Sequence, residues 1–319
     1  MYHSIRCSLL CLVMTCVVPL TCLASGKLPV FVSIVPQKYF VQQIGKDLVD
    51  VQVMVEPGAS PHTYEPKPQQ MVAISKAKLY FGIGVEFEKA HLDKLVATNP
   101  KLKVIHTDHG IEKLAMETHH HDSHTEAQYK EEHHDADHDH EKDKNHGEKE
   151  HHEEPQPAGQ DPHIWLSPSL VKIQAHAILA ALQEADPAHK RAYAANFQEF
   201  TAQIDQLDTD LKKMFAGKSG LQFLVFHPTW GYFAHDYGLQ QVPVEIEGKS
   251  PKPAQLKELV QHARESGINI IFVQPQFSVK DAQVVAQEIG GQVVFANPLA
   301  ENWMANLRQV AAKFQAALK

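Results

Sequence analysis

The chain has 319 residues, a formal net charge of −8, 43% hydrophobic residues and four cysteines. That length accommodates two domains. Residues 119–154 carry 13 acidic and 4 basic side chains, so the rest of the chain sums to +1; a near-neutral body without a basic stripe excludes nucleic acid as a partner.

The first residues read as an export signal. His3 and Arg6 give a weak polar start, residues 9–20 are apolar, and Ala24, Ser25 and Gly26 are the small residues of a cleavage site. The apolar run contains Thr15 and Pro19 and is short for a membrane span. Residues 1–24 are therefore expected to be removed, and the mature protein to work outside the cytoplasm. Cys7, Cys11, Cys16 and Cys22 all fall near this segment's apolar run, which leaves the mature chain without disulfide, thiol nucleophile or thiolate ligand. A lipid anchor on Cys22 is the weaker alternative, because Thr21 is a poor residue ahead of a lipidation site.

Short apolar strands then alternate with helices. Strands are predicted at 29–35, 51–55, 78–84 and 102–105, with helices at 37–44, 68–77 and 86–97 between them. After a helix from Pro168 to 185, the alternation resumes with strands at 221–226, 241–246, 269–273 and 292–295. Helices near Tyr232 and at 254–265, 279–289 and 302–318 accompany them. This pattern specifies parallel sheets covered on both faces. The reading is an α/β protein of two lobes, 27–185 and 218–319, each with a four-stranded parallel sheet and flanking helices.

One long helix joins the lobes. Between residues 187 and 216 the apolar positions Tyr193, Phe197, Phe200, Ile204, Leu207, Leu211 and Met214 step by three and four, one face of a helix. Asp186 is the expected N-cap, Pro187 the first helical residue and Gly217 the stop. A coiled-coil arm is the competing reading, but the stripe is short and interrupted by Gln and Thr. A rigid strut fits better, and with it a small hinge or loop movement in place of wide closure.

Residues 118–154 break the alternation. They are almost entirely His, Asp, Glu, Lys and Asn, cannot bury a core, and are expected to be disordered. Eleven of the 22 histidines lie here: His119, His120, His121, His124, His133, His134, His138, His140, His146, His151 and His152. Solvation alone needs Glu and Lys rather than imidazole, so the tract reads as a set of weak, exchangeable metal sites that gather or sense the ion.

Ligands of open parallel sheets bind beyond the carboxyl ends of the strands, and three further histidines fall at such points. His62 lies in a proline-rich loop, residues 57–66, after the second strand. His163 lies in the Asp161-Pro162-His163 turn where the ordered chain resumes. His227 follows the first strand of the second lobe, next to Pro228. Three neutral imidazoles suit zinc and leave a fourth position for water or an oxygen donor. Their wide separation in sequence favours a cleft between lobes over a local finger. His106 and His109 are possible auxiliary ligands, though a surface turn is the simpler reading. His176, His189, His235 and His262 are expected to face solvent.

The segments around His62 and at 161–168, 226–238 (FHPTWGYFAHDYG), 245–253 (EIEGKSPKP), 272–277 (FVQPQF) and 297–303 (NPLAENW) resemble the extracytoplasmic zinc-binding proteins of ABC uptake transporters. That cluster takes up zinc, manganese or iron. The resemblance spans essentially the whole mature chain. It implies two lobes on a long helix, Zn2+ between them as the transported ligand, an inner-membrane ABC permease as partner, and a monomer in the periplasm. His62, His163 and His227 match the family's three histidine ligands. Manganese-type relatives usually carry a carboxylate at the third, so His227 argues for zinc. Where many relatives place a liganding Asp this chain has Asn297, which leaves water, Asn297, Glu65 or Gln276 for the fourth position. Rival readings are a manganese or iron receptor, a metal-storage protein or adhesin working through the tract, and a zinc hydrolase with Glu65 as general base. The last lacks any motif in support, and a non-enzymatic receptor is the expectation.

Overall fold

The computed structural model describes residues 26–116, 159–245, 250–277 and 279–318. The expected export signal with its cysteines, the histidine tract and part of the 245–253 motif lie outside the described residues.

Two sheets with the same plan are present. The first contains β1 (Leu28–Val32), β2 (Val49–Val53), β3 (Leu79–Gly82) and β4 (Lys103–His106), in the order β2-β1-β3-β4 and parallel throughout. The second contains β5 (Gln222–Val225), β6 (Gln240–Pro243), β7 (Ile270–Val273) and β8 (Gln292–Phe295), ordered β6-β5-β7-β8 and again parallel. Helices α1 (Val35–Gly45), α2 (Pro68–Ile74), α3 (Glu86–Thr98) and α4 (Pro168–Ala185) flank the first sheet, and α5 (Lys190–Phe215) follows. Helices α6 (Gly231–Tyr237), α7 (Pro253–Glu265), α8 (Val279–Glu288) and α9 (Trp303–Ala317) complete the second lobe. This is the two-lobe α/β architecture read from the sequence.

Most boundaries shift by one to three residues, and three of the differences are instructive. β1 ends at Val32 because the Gln37 side chain accepts from the backbone N–H groups of Ser33 and Ile34, at 3.1 and 3.2 Å, and turns the chain into α1. β6 spans only Gln240–Pro243, although the Val244 N–H still donates to the Val225 carbonyl at 2.8 Å; Pro243 is tolerated because β6 is an edge strand and its nitrogen faces away from β5. The long helix starts at Lys190, not Pro187: residues Pro187–His189 form a 3₁₀ turn. Asp186 caps no backbone group; its carboxylate instead accepts from His189 Nδ1 and from the Tyr193 hydroxyl, both at 2.7 Å.

With 26 residues α5 is about 39 Å long. It packs against α1 and α4 on one side and against α6 and α9 on the other. Its buried stripe is Tyr193, Phe200, Ile204, Leu207, Leu211 and Phe215, with Phe197 and Met214 half-buried at the margin. One hydrophobic core therefore runs through both lobes, while a smaller one lies under α7 and α8. The junction is aromatic. Phe200 lies 6.1 Å from both Tyr39 and Phe40, and Trp303 of the second lobe meets Phe40 edge-on at 5.2 Å.

Truncation of Phe200 is expected to be costly because it opens a cavity shared by both lobes. Phe200→Ala should lower unfolding free energy by about 3–5 kcal/mol, read from urea denaturation. Lys213→Ala on the exposed side of the same helix should stay within about 0.5 kcal/mol.

Candidate metal centre

The carboxyl ends of the two sheets face one pocket, as open parallel sheets require of a ligand site. His62, Glu86, His163, His227, Gln274, Gln276 and Phe277 are among its lining residues. The three histidines each offer a ring nitrogen, and these atoms lie within 4.8 Å of one another. The rings of His62 and His163 stand 5.0 and 5.5 Å from that of His227, both nearly perpendicular to it.

Each imidazole has a carboxylate at its Nδ1. His163 Nδ1 is 2.6 Å from Asp161 Oδ1, which also accepts the His163 backbone N–H at 2.9 Å. His227 Nδ1 is 3.1 Å from Glu245 Oε1. His62 Nδ1 is 3.2 Å from Glu86 Oε2. For His163 and His227 the carboxylate accepts from Nδ1–H, which leaves the Nε2 lone pair free and more basic; Glu86 approaches His62 Nδ1 as a charge contact, its Oε2 having no hydrogen-bond partner. Nε2 of His227 is buried and has no hydrogen-bond partner in the protein.

Local sequence explains these placements. Asp161 and His163 are two residues apart around Pro162, so one turn holds both. Glu245 reaches His227 because the residues after β6 continue alongside β5, with the Glu245 N–H donating to the Phe226 carbonyl at 3.0 Å. Glu86 opens α3 after a turn shaped by Glu88, whose carboxylate accepts from the N–H groups of Ile83 and Gly84 at 2.7 and 2.9 Å. Gly84 has φ +84 in that turn, and a Cβ there would strike Lys113 and Asp108.

The environment favours neutral ligands. Burial pushes the His227 imidazole below its ordinary range, against the opposing pull of Glu245. The contact with His62 holds the Glu86 carboxyl down at about 2. Phe277 stacks on His227 at 5.0 Å and Trp165 meets His163 edge-on at 5.2 Å, so aromatic rings wall the two buried imidazoles. His62 is the exposed member.

His163 lies within the 27–185 lobe read from the sequence, and its turn is tied to both lobes: on the first-lobe side the Asp161 N–H donates to the Leu114 carbonyl at 2.8 Å, and the second lobe holds it as well. Tyr232 of α6 donates to the Asp161 carbonyl at 2.9 Å, Trp165 Nε1 to the Pro298 carbonyl at 2.9 Å and Trp303 Nε1 to the Trp165 carbonyl at 2.6 Å. His62 alone is presented by the first sheet.

The remaining candidates separate. Glu65 does not line the pocket; its side chain is 83% exposed and 3.7 Å from His91, too far out to act as ligand or as a hydrolase base. Asn297 Oδ1 already accepts from Gln276 Nε2 at 3.1 Å and Leu299 N at 3.0 Å, which occupies both lone pairs of that oxygen. Gln276 lines the pocket. His106 ends β4 and His109 lies on the turn that follows; both are exposed, with the His109 N–H donating to the His106 carbonyl at 3.2 Å. His176 and His235 are exposed as expected, whereas His189 and His262 are half-buried and bonded to Asp186 and Gln222. The eleven tract histidines lie outside the described residues. Sequence reasoning missed Glu86, Gln274 and Phe277; Glu86 carries a usable signal, an acidic residue opening a helix at the carboxyl end of a strand.

A family model described as "Zinc-uptake complex component A periplasmic" matches residues 30–317. The high-affinity zinc uptake system protein ZnuA of Bacillus subtilis is 27% identical over 281 residues, 86% of this chain and 79% of that protein. A crystal structure of ZnuA superposes with a TM-score of 0.77 at 39% identity, covering 92% of this chain and all of the other. A zinc-bound deletion mutant of ZnuA matches with the same TM-score at 38% identity.

Removing a carboxylate that orients an imidazole should weaken divalent-metal binding without unfolding the lobes. Glu245→Ala is expected to lower affinity about 10–100-fold, measured by competition with a chromophoric chelator, with near-ultraviolet circular dichroism unchanged.

Proposed function

The chain belongs to the family of periplasmic zinc-uptake complex components, and on that premise we propose that it is an extracytoplasmic receptor that captures Zn2+ between its lobes and delivers it to an ABC permease. The observation that carries this reading is the convergence of three imidazoles, each with a carboxylate at Nδ1. Nε2 of His62, His163 and His227 bind the ion, and no carboxylate enters the inner set from these three positions. Three nitrogen donors suit zinc, while manganese prefers carboxylate and water oxygen. Zinc is cargo here: it arrives and leaves with its charge unchanged.

His163 and His227 form a buried, aromatic-walled pair, and His62 is the exposed ligand, so the ion is exchanged past His62. Lobes that share one core favour a local rearrangement of the 57–66 loop over wide closure. The histidine tract is accessory: it holds additional, weaker zinc and raises the local supply. Among the described residues no helix is long and apolar enough to cross a membrane, which accords with a receptor that works beside a separate permease.

The test is zinc stoichiometry and affinity by chelator competition, with and without residues 119–152. One tight zinc is expected to survive removal of the tract and to be lost in His227→Ala. Absence of tight zinc once the tract is removed would move the function to the tract and favour storage over transport.

Protons compete for the same nitrogens. Zinc affinity should be flat at alkaline pH and fall as pH drops through about 6.5, where free imidazoles protonate. Burial keeps His227 neutral to lower pH than an exposed imidazole, so its share of the loss comes later in an acid titration followed by zinc release.

A further inference from the structure

Among the described residues, four buried acceptor atoms of the pocket lining have no hydrogen-bond partner in the protein: Glu86 Oε2, His227 Nε2, Gln274 Oε1 and Gln276 Oε1; Glu86 Oε2 lies 3.2 Å from His62 Nδ1, which leaves three. An acceptor buried without a donor is costly, and three around one pocket call for a cation. The orientation of both amides is set by backbone groups whose hydrogen-bonding sense is not in doubt. Gln274 Nε2 donates to the His227 carbonyl at 3.0 Å and to the Thr229 hydroxyl, which commits both of its N–H donors to anchoring the His227 loop. The second amide is fixed at one remove. The Leu299 N–H can only donate, so the Asn297 atom it meets at 3.0 Å is the oxygen. That oxygen can only accept, so the Gln276 atom 3.1 Å from it is Nε2. Gln276 Oε1 must then be the amide's other end, among the residues lining the histidine pocket.

We propose that Gln276 supplies the fourth donor to the ion through its side-chain oxygen, and that Asn297 is a positioning residue that holds this amide the right way round. The inference rests on the three-histidine reading of the site and completes it. The donor set becomes three imidazole nitrogens and one amide oxygen, all neutral, and the site has no exchangeable water. Asn297→Leu removes the lock while leaving Gln276 in place.

Cobalt(II) at one equivalent on the full chain reports the fourth position, because its visible bands respond when an exchangeable ligand is replaced by azide. Wild type should give a four-coordinate spectrum that azide does not alter. Gln276→Ala and Asn297→Leu should both become azide-sensitive and lose about 10–100-fold in zinc affinity. An azide-sensitive wild type, or a Gln276→Ala that remains insensitive, would overturn the proposal. His227→Ala separates this from the premise. If that variant keeps the cobalt bands, the three-histidine site itself is wrong; if it loses them while Gln276→Ala resists azide, only the role of Gln276 fails.

Discussion

Phe200, on the helix between the lobes, packs on Tyr39 and Phe40 of the first lobe, and Trp303 of the second lobe closes on the same rings. Pulling the lobes apart would expose these rings, each of which contributes about 1.5–3 kcal/mol or more when buried. The pocket between the two sheets is therefore a permanent feature of the fold. The same junction positions the chemistry: Trp303 Nε1 bonds the carbonyl of Trp165, and Trp165 packs against His163. These bonds tie the His163 turn to the lobe that carries His227, while His62 comes from a loop after β2 of the first sheet.

Neutral donors alone would leave the full charge of a divalent ion in a partly buried site. The structure offsets it one layer out. Glu86, Asp161 and Glu245 sit at Nδ1 of the three imidazoles, where, in the proposed site, they balance the ion without occupying its inner positions. A carboxylate in direct contact would bring harder oxygen chemistry and a preference closer to manganese; the same charge behind an imidazole keeps the nitrogen donors that zinc favours.

Much of this was legible in the sequence, and what was missed has a common cause. Strand and helix identity followed from local periodicity, and His62, His163 and His227 stood out because each is flanked by proline, two of them after a strand and His163 where the ordered chain resumes. Local features misled where a tertiary partner intervened. Asp186 has the chemistry of an N-cap but is drawn to Tyr193 and His189. Asn297 has a donor oxygen, but Leu299 and Gln276 claim it. Glu86 is the first residue of α3, and its approach to His62 depends on a loop from a different strand. Pairings set by long-range packing leave no spacing signal in a single chain.

The most direct measurement of the central claim is zinc K-edge X-ray absorption on the full chain loaded with a single equivalent of zinc. The account predicts three imidazoles and one oxygen at about 2.0–2.1 Å, the range of four-coordinate zinc, with the imidazole count falling to two in His227→Ala. A first shell with two or more carboxylates, or an imidazole count unchanged by His227→Ala, would contradict a three-histidine receptor site.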